Sequence, residues 1–151
     1  MSAASVRDTL IAVVEALVPA SQPRVRFRCI RKPRAAQPPP ESGWPMRSFA
    51  IETRSGPSDA GIAGGTLTLF REEWAIGVAY PTGGPVATED LDRLIREDGI
   101  QIIHALEMPA VWAGDVHNLG IGIQPVEIFE VSGEFGTGVE STIPLWVEYF
   151  A

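Results

Sequence analysis

The sequence predicts an α+β fold in which a mostly antiparallel sheet of about four to five strands is flanked by an N-terminal helix and one long helix. Three observations carry this. Two stretches repeat apolar residues at helical spacing, one near the N-terminus and one from residue 88 onward. Several shorter stretches alternate apolar and polar residues with a period of two. Clusters of proline and glycine separate them. With 151 residues, 45% hydrophobic and 21% charged, the chain is close to the globular average and long enough for one domain, 1–151, with a core of its own.

The first helix is expected over positions 5 to 18, where Val6, Leu10, Val13, Val14 and Leu17 share a face, Ser5 is the N-cap and Pro19 the stop. Positions 24 to 31 follow as a strand, with Val25, Phe27 and Cys29 on one face and Arg24, Arg26 and Arg28 on the other. Cys29, the single cysteine, reads as a small buried hydrophobe. Residues 32 to 45 hold Pro33, Pro38 to Pro40, Gly43 and Pro45, and so form an extended loop ending near Trp44, an aromatic that either tucks back or anchors a partner. A second strand is expected over 48 to 54, then a Gly/Ser/Ala-rich mobile stretch over 55 to 65.

From Thr66 the strand pattern returns, but Leu67 and Leu69 lie on one phase and Trp74, Ile76, Val78 and Tyr80 on the other. A bulge or tight turn at about 71 to 73 would reconcile them, with Glu72 and Glu73 as its polar residues. The main helix starts at Thr88, with Glu89 and Asp90 favoured in its first turn by the helix dipole. Its buried stripe is Leu91, Leu94, Ile95, Ile102, Ile103 and Leu106, continuing to Met108, with Gly99 marking a kink or a close crossing. After an irregular stretch containing Trp112 and Asn118, one strand is expected over 121 to 131, bulged or at an edge because of Pro125. A closing strand carries Ile143, Leu145, Val147 and Tyr149. Between the two, Gly133 to Gly138 with Glu134 and Phe135 reads as a hairpin loop reaching beyond the domain.

Several function classes are disfavoured. A net charge of −7 argues against a general nucleic-acid binder, which must neutralise phosphates. The apolar stretch at 10 to 20 contains Glu15 and is too short to cross a bilayer, and no basic segment leads a cleavable apolar run, so no membrane partner and no signal peptide are expected. The only lysine, Lys32, follows no glycine run, which excludes the usual phosphate loop; Gly120-Ile121-Gly122 and Gly133 to Gly138 do not open helices, so no dinucleotide cofactor is expected. His104 and His117 with Glu107 and Asp115 could make a two-histidine, one-carboxylate metal site only if they converge, and a helix-surface and a loop histidine explain them as well. Glu72 and Glu73 point to opposite faces of a strand and cannot serve one bond together. No catalytic, cofactor-binding or metal residue is assigned.

Charge is unevenly placed. Arg24, Arg26, Arg28, Arg31, Lys32 and Arg34 are half of the 12 basic side chains, leaving the rest of the chain strongly acidic. This suits either a charged strand edge kept from aggregating or a self-associating subunit whose basic patch meets an acidic surface of its neighbour.

The order of elements, together with the helix ending in Leu17-Val18-Pro19, the segment Phe70-Arg71-Glu72-Glu73-Trp74-Ala75-Ile76-Gly77-Val78, the helix over 90 to 106 and the closing Ile143-Pro144-Leu145-Trp146-Val147-Glu148-Tyr149, resembles the lambda-like tail terminator (tail completion) proteins of long-tailed bacteriophages. The resemblance implies a structural, non-enzymatic virion protein of the tail and neck, assembled in the host cytoplasm. It implies a homo-oligomeric ring, usually a hexamer, that binds the last ring of tail tube protein, stops polymerisation and offers a surface to the head-tail connector. An acidic ring would let genomic DNA pass through its lumen without specific binding. From reach and chemistry, contacts are expected from Arg31, Lys32, Arg34 and Trp44 of the proline-rich loop and from Glu134 and Phe135 of the hairpin. A neck or head-tail connector protein would share these features, and a small metal- or ligand-binding enzyme domain is a third class.

Overall fold

The computed structural model describes residues 3–30, 46–63, 67–81, 88–112, 116–121, 127–133 and 136–150. The fold is α+β. Helix α1 (Ala3–Ala16) leads to a two-residue strand β1 (Arg28–Cys29), then to the long strands β2 (Ser48–Ala63) and β3 (Leu67–Pro81). Helix α2 (Thr88–Leu106) and a 3-10 turn (Pro109–Trp112) follow, and then β4 (Val116–Ile121), β5 (Glu127–Gly133) and β6 (Gly136–Phe150). The sheet order is β1-β2-β3-β6-β4, with β5 also paired to β6. Among the described strands only β1 with β2 is parallel. Because β4 faces Leu145–Tyr149 and β5 faces Gly136–Thr142 of the same strand, the two lie end to end, and the sheet is five strands wide.

That end-to-end arrangement explains a proline in a central strand. Proline cannot donate to a ladder and is tolerated only where no partner needs its N–H. β4 ends at Ile121 opposite Leu145 and β5 begins at Glu127 opposite Thr142, so Ile143 and Pro144 fall between them. The single strand expected over 121 to 131 is therefore two strands, and Asn118 belongs to β4. Pro125 itself lies outside the described residues.

One face of the sheet is the core. β3 pairs with β6 from Leu69↔Phe150 to Pro81↔Gly138 in unbroken register, so residues opposite one another share a face. Trp74, Ile76, Val78 and Tyr80 of β3, Phe49 and Ile51 of β2, and Ile143, Leu145, Val147 and Tyr149 of β6 join Val6, Leu10 and Val14 of α1 and Leu91, Leu94, Ile95, Ile102 and Leu106 of α2 in one buried cluster. The helical stripes place these residues on single faces because their spacing follows the 3.6-residue turn. α2 runs unbroken through Gly99, which is buried. Ile103 is only half-buried and Met108 is 61% exposed, so the stripe ends at Leu106. Past that point Trp112 turns back, its Nε1 donating to the Leu106 carbonyl at 2.8 Å.

Further expectations are corrected. Ser5 is inside α1, its carbonyl accepting from Thr9 Oγ1 at 2.9 Å, and so it is not the N-cap. At the other end the helix stops at Ala16, where Arg26 donates to the Ala16 and Leu17 carbonyls at 3.2 and 3.0 Å and satisfies groups that the last turn leaves open. The strand expected over 24 to 31 shrinks to Arg28–Cys29, although Phe27 is buried and Arg24, Arg26 and Arg28 are exposed, as the alternation requires. The 55 to 65 stretch is strand as far as Ala63, paired with β3 through three register shifts. One of these, between Thr53 and Ser55, lies opposite Glu73, so the slip expected in β3 is carried by β2 instead. The hairpin is tight: pairing reaches Gly133↔Gly136, leaving only two positions between the strands. Cys29 is half-buried and packs against the core, its backbone N–H donating to Glu15 Oε1 at 3.0 Å. Residues 32 to 45 lie outside the described residues.

Gln22 holds φ 52° in the turn before β1, a left-handed conformation that costs an L-residue about 1–2 kcal/mol and glycine nothing. Its side chain is exposed. Gln22→Gly is expected to leave stability unchanged or raise it by up to about 1 kcal/mol, whereas Gln22→Val lowers it by about 1–2 kcal/mol. Urea unfolding of the two variants distinguishes these outcomes.

Candidate functional site

The polar groups of this protein sort into two sets according to the face of the sheet they occupy. On the core face the dominant group is Arg47, which is fully buried. Its Nε and Nη2 grip the two oxygens of Asp98 at 2.7 and 2.9 Å. Nη1 donates to the carbonyls of Gln22 and Val25 at 2.9 and 2.8 Å, and Nη2 also donates to Ser21 at 2.6 Å. All five guanidinium donors are thus used. The ring of Phe27 lies 5.5 Å from the guanidinium carbon. Tyr80 completes the cluster by donating its hydroxyl to Asp98 at 2.8 Å.

This network explains why residues 21 to 25 turn instead of extending into a strand: three of their carbonyls point at one cation. It also explains φ 61° at Arg47, whose backbone N–H donates to Ala79 at 2.8 Å and whose carbonyl accepts from Arg28 at 3.1 Å. A strained conformation persists when its surroundings over-determine it. Burial raises the Asp98 carboxyl above its ordinary range, and the guanidinium and the Tyr80 hydroxyl offset that only in part.

A second buried carboxyl belongs to Glu72, which was expected at a polar bulge and is instead fully buried on β3. It accepts from Trp74 Nε1 at 3.2 Å and from the Tyr149 hydroxyl at 3.1 Å, while its neighbour Glu73 is exposed on the other face. Among the described residues no cation bonds to it. Burial, then the bond and charge of Glu72, push the Tyr149 hydroxyl up to about 12. Tyr80 is likewise held well above its usual value by burial and by Asp98.

On the opposite face Ser48, Ala50, Ala75, Gly77, Ala79 and Thr142 are buried, and the exposed part is the end around Arg71 and Trp146. Arg71 lies with its guanidinium carbon 4.2 Å from the centre of the Trp146 ring and 3.7 Å from Glu148. Leu69, Pro144, Trp146 and Phe150 are half-buried beside it, and Glu73 and Glu52 are exposed.

The contact residues expected from the sequence, Arg31, Lys32, Arg34, Trp44, Glu134 and Phe135, lie outside the described residues, as does Asp115. His104 on α2 and Glu107 just past its end are exposed, and among the described residues no three metal-binding side chains cluster. Among the described residues no helix is long and apolar enough to cross a membrane. The sequence reading missed Arg47 and Asp98. The available signal was position 98, which falls on the buried stripe between Ile95 and Ile102 and is its one acidic member. No protein-family model and no characterised protein matches this sequence. The class defined by the fold and its buried chemistry is an α+β protein whose deeply buried carboxyls are bonded within the fold.

The buried groups make predictions of two kinds, the first by substitution. Asp98→Ala strands a buried guanidinium and is expected to cost about 3–5 kcal/mol in chemical unfolding at neutral pH. Arg47→Lys should cost at least about 2 kcal/mol, because an ammonium brings three donors to a site that uses five. The second kind concerns Tyr80 and Tyr149, the only two tyrosines. Both are raised when folded, so their contribution to stability is complete below pH 10 and is lost as pH rises through the folded values, about 12 for Tyr149. An ultraviolet titration of the native protein should show no tyrosinate at pH 10, where the urea-unfolded chain is half ionised; substantial native ionisation there would contradict both bonds.

Proposed function

We propose that this chain is a non-enzymatic structural protein of a phage virion, a subunit of a homo-oligomeric ring of the tail terminator type. The ring caps the end of the tail tube, stops its polymerisation and presents the surface to which the head-tail connector joins, while genomic DNA passes through the lumen unbound. The observation that supports this best is where the segments carrying the resemblance lie. Phe70–Val78 and Ile143–Tyr149 are partner strands, paired from Phe70↔Tyr149 to Ile76↔Ile143 and beyond, and they form the middle of the sheet. Stretches that looked alike separately in sequence thus form one structural unit, with α2 between them in the chain. The buried polar groups agree with a structural role, since Arg47, Asp98 and Glu72 are bonded to other groups of the fold.

The test is electron microscopy of tails assembled without this protein and again with it added back. Tails of uncontrolled length that become capped on addition are the expected result. Tails of normal length that merely fail to join heads would move the protein to the neck, and no effect on tails or on joining would overturn the virion reading.

A further inference from the structure

The accessible end of this sheet face has the composition of an interface centre. Trp146, Arg71 and Phe150 are of the types that dominate binding energy when they are gathered at the middle of a patch. They lie on adjacent strands β3 and β6 with Leu69 and Pro144, all half-buried. On the β4 side the residue opposite Trp146 is Gly120. The rim is acidic. Glu52 and Glu73 are exposed, and Glu148 and Glu140 are partly so.

The complementary charge is elsewhere on the chain. Arg24 and Arg28 are exposed in the turn before β1 and in β1 itself, at the far edge of the sheet, while Arg26 is engaged with the end of α1. The nearest of the rim acids, Glu52, is on the strand next to β1 but four residues along from Ser48, the register partner of Arg28, roughly 13 Å away. That exceeds the Debye length of about 8 Å at physiological salt, so within one copy the two surfaces barely attract each other. Between copies they can touch.

We propose that the sheet face centred on Trp146 is the seat for the Arg24–Arg28 edge of a second copy of this chain. The proposal rests on the ring reading above and names its contact. Basic edge on acidic face is a heterologous contact, in which each copy uses one surface of each kind, and such contacts close into rings when the rotation allows. It also overcomes, locally, the repulsion expected between copies that each carry −7.

The experiment uses two variants of the full chain, Arg24→Glu/Arg28→Glu and Glu52→Lys/Glu73→Lys, with self-association followed by sedimentation velocity at low salt. All four side chains are exposed, so both variants should fold, which circular dichroism can verify. Each variant alone juxtaposes like charges and should associate at least about tenfold more weakly than the wild type. Mixed in equal amounts, the two restore an attractive pair at every contact, and association should return. A wild-type chain that stays monomeric up to millimolar concentration overturns the proposal, as does association that survives either reversal or is not restored by mixing. Reversal variants that still cap tails would remove this contact and leave the tail terminator reading standing. Charge-dependent association with no effect on tail length would keep the contact and remove that reading.

Discussion

A single buried guanidinium organises this fold. Arg47 joins α2, through Asp98, to the turn at 21 to 25, and its own backbone ties β2 to β3 and β1. The desolvation cost of such a pair is large, and a buried ion pair often contributes little net stability compared with well-packed apolar residues. What it supplies here is direction. Three carbonyls of an irregular segment need donors if that segment is to lie against the core, and a fork with five fixed N–H groups meets them and a carboxylate at once. The short β1, the positive φ of Arg47 and that of Gln22 are consequences of this one arrangement.

Elements that depend on local periodicity were legible in the sequence. Both helices were, because a stripe at 3.6-residue spacing is a property of the helix alone. The closing strand was too, because Ile143, Leu145, Val147 and Tyr149 alternate regardless of what pairs with them. What depended on partners was misread. Val25, Phe27 and Cys29 told correctly which side faces inward, yet could not tell that the backbone before Phe27 would be claimed by Arg47. Residues 55 to 63 have little to bury and looked loose, but strand pairing is made by the backbone, and β3 supplies the template. Glu72 looked like a bulge residue because its phase was assigned to a break in β3; the break is in β2, and unbroken pairing with β6 carries Glu72 inside.

The two buried carboxyls show how differently one problem can be met. Asp98 has a cation as well as a hydroxyl, and Glu72 has a hydroxyl and an indole N–H. In each case the hydroxyl comes from a tyrosine whose ring is part of the core, so the polar tip reaches its acceptor while the ring fills space. These sites are internal fasteners. Glu72 and Asp98 are both fully buried.

β6 connects these internal constraints to the outer surface. Its odd-numbered residues from Ile143 to Tyr149 lie in the core, and its even-numbered residues Pro144, Trp146, Glu148 and Phe150 lie on the opposite face. A strand of period two cannot shift one set without the other. Glu72, by bonding Tyr149, therefore helps fix the register that puts Trp146 beneath Arg71 and opposite Gly120. A contact surface on a central strand held from behind in this way is pre-organised, and a pre-organised surface loses less entropy on docking than one carried by loops. The proposed docking of a second copy on this face therefore draws on the stiffness of β6 as much as on the chemistry it displays.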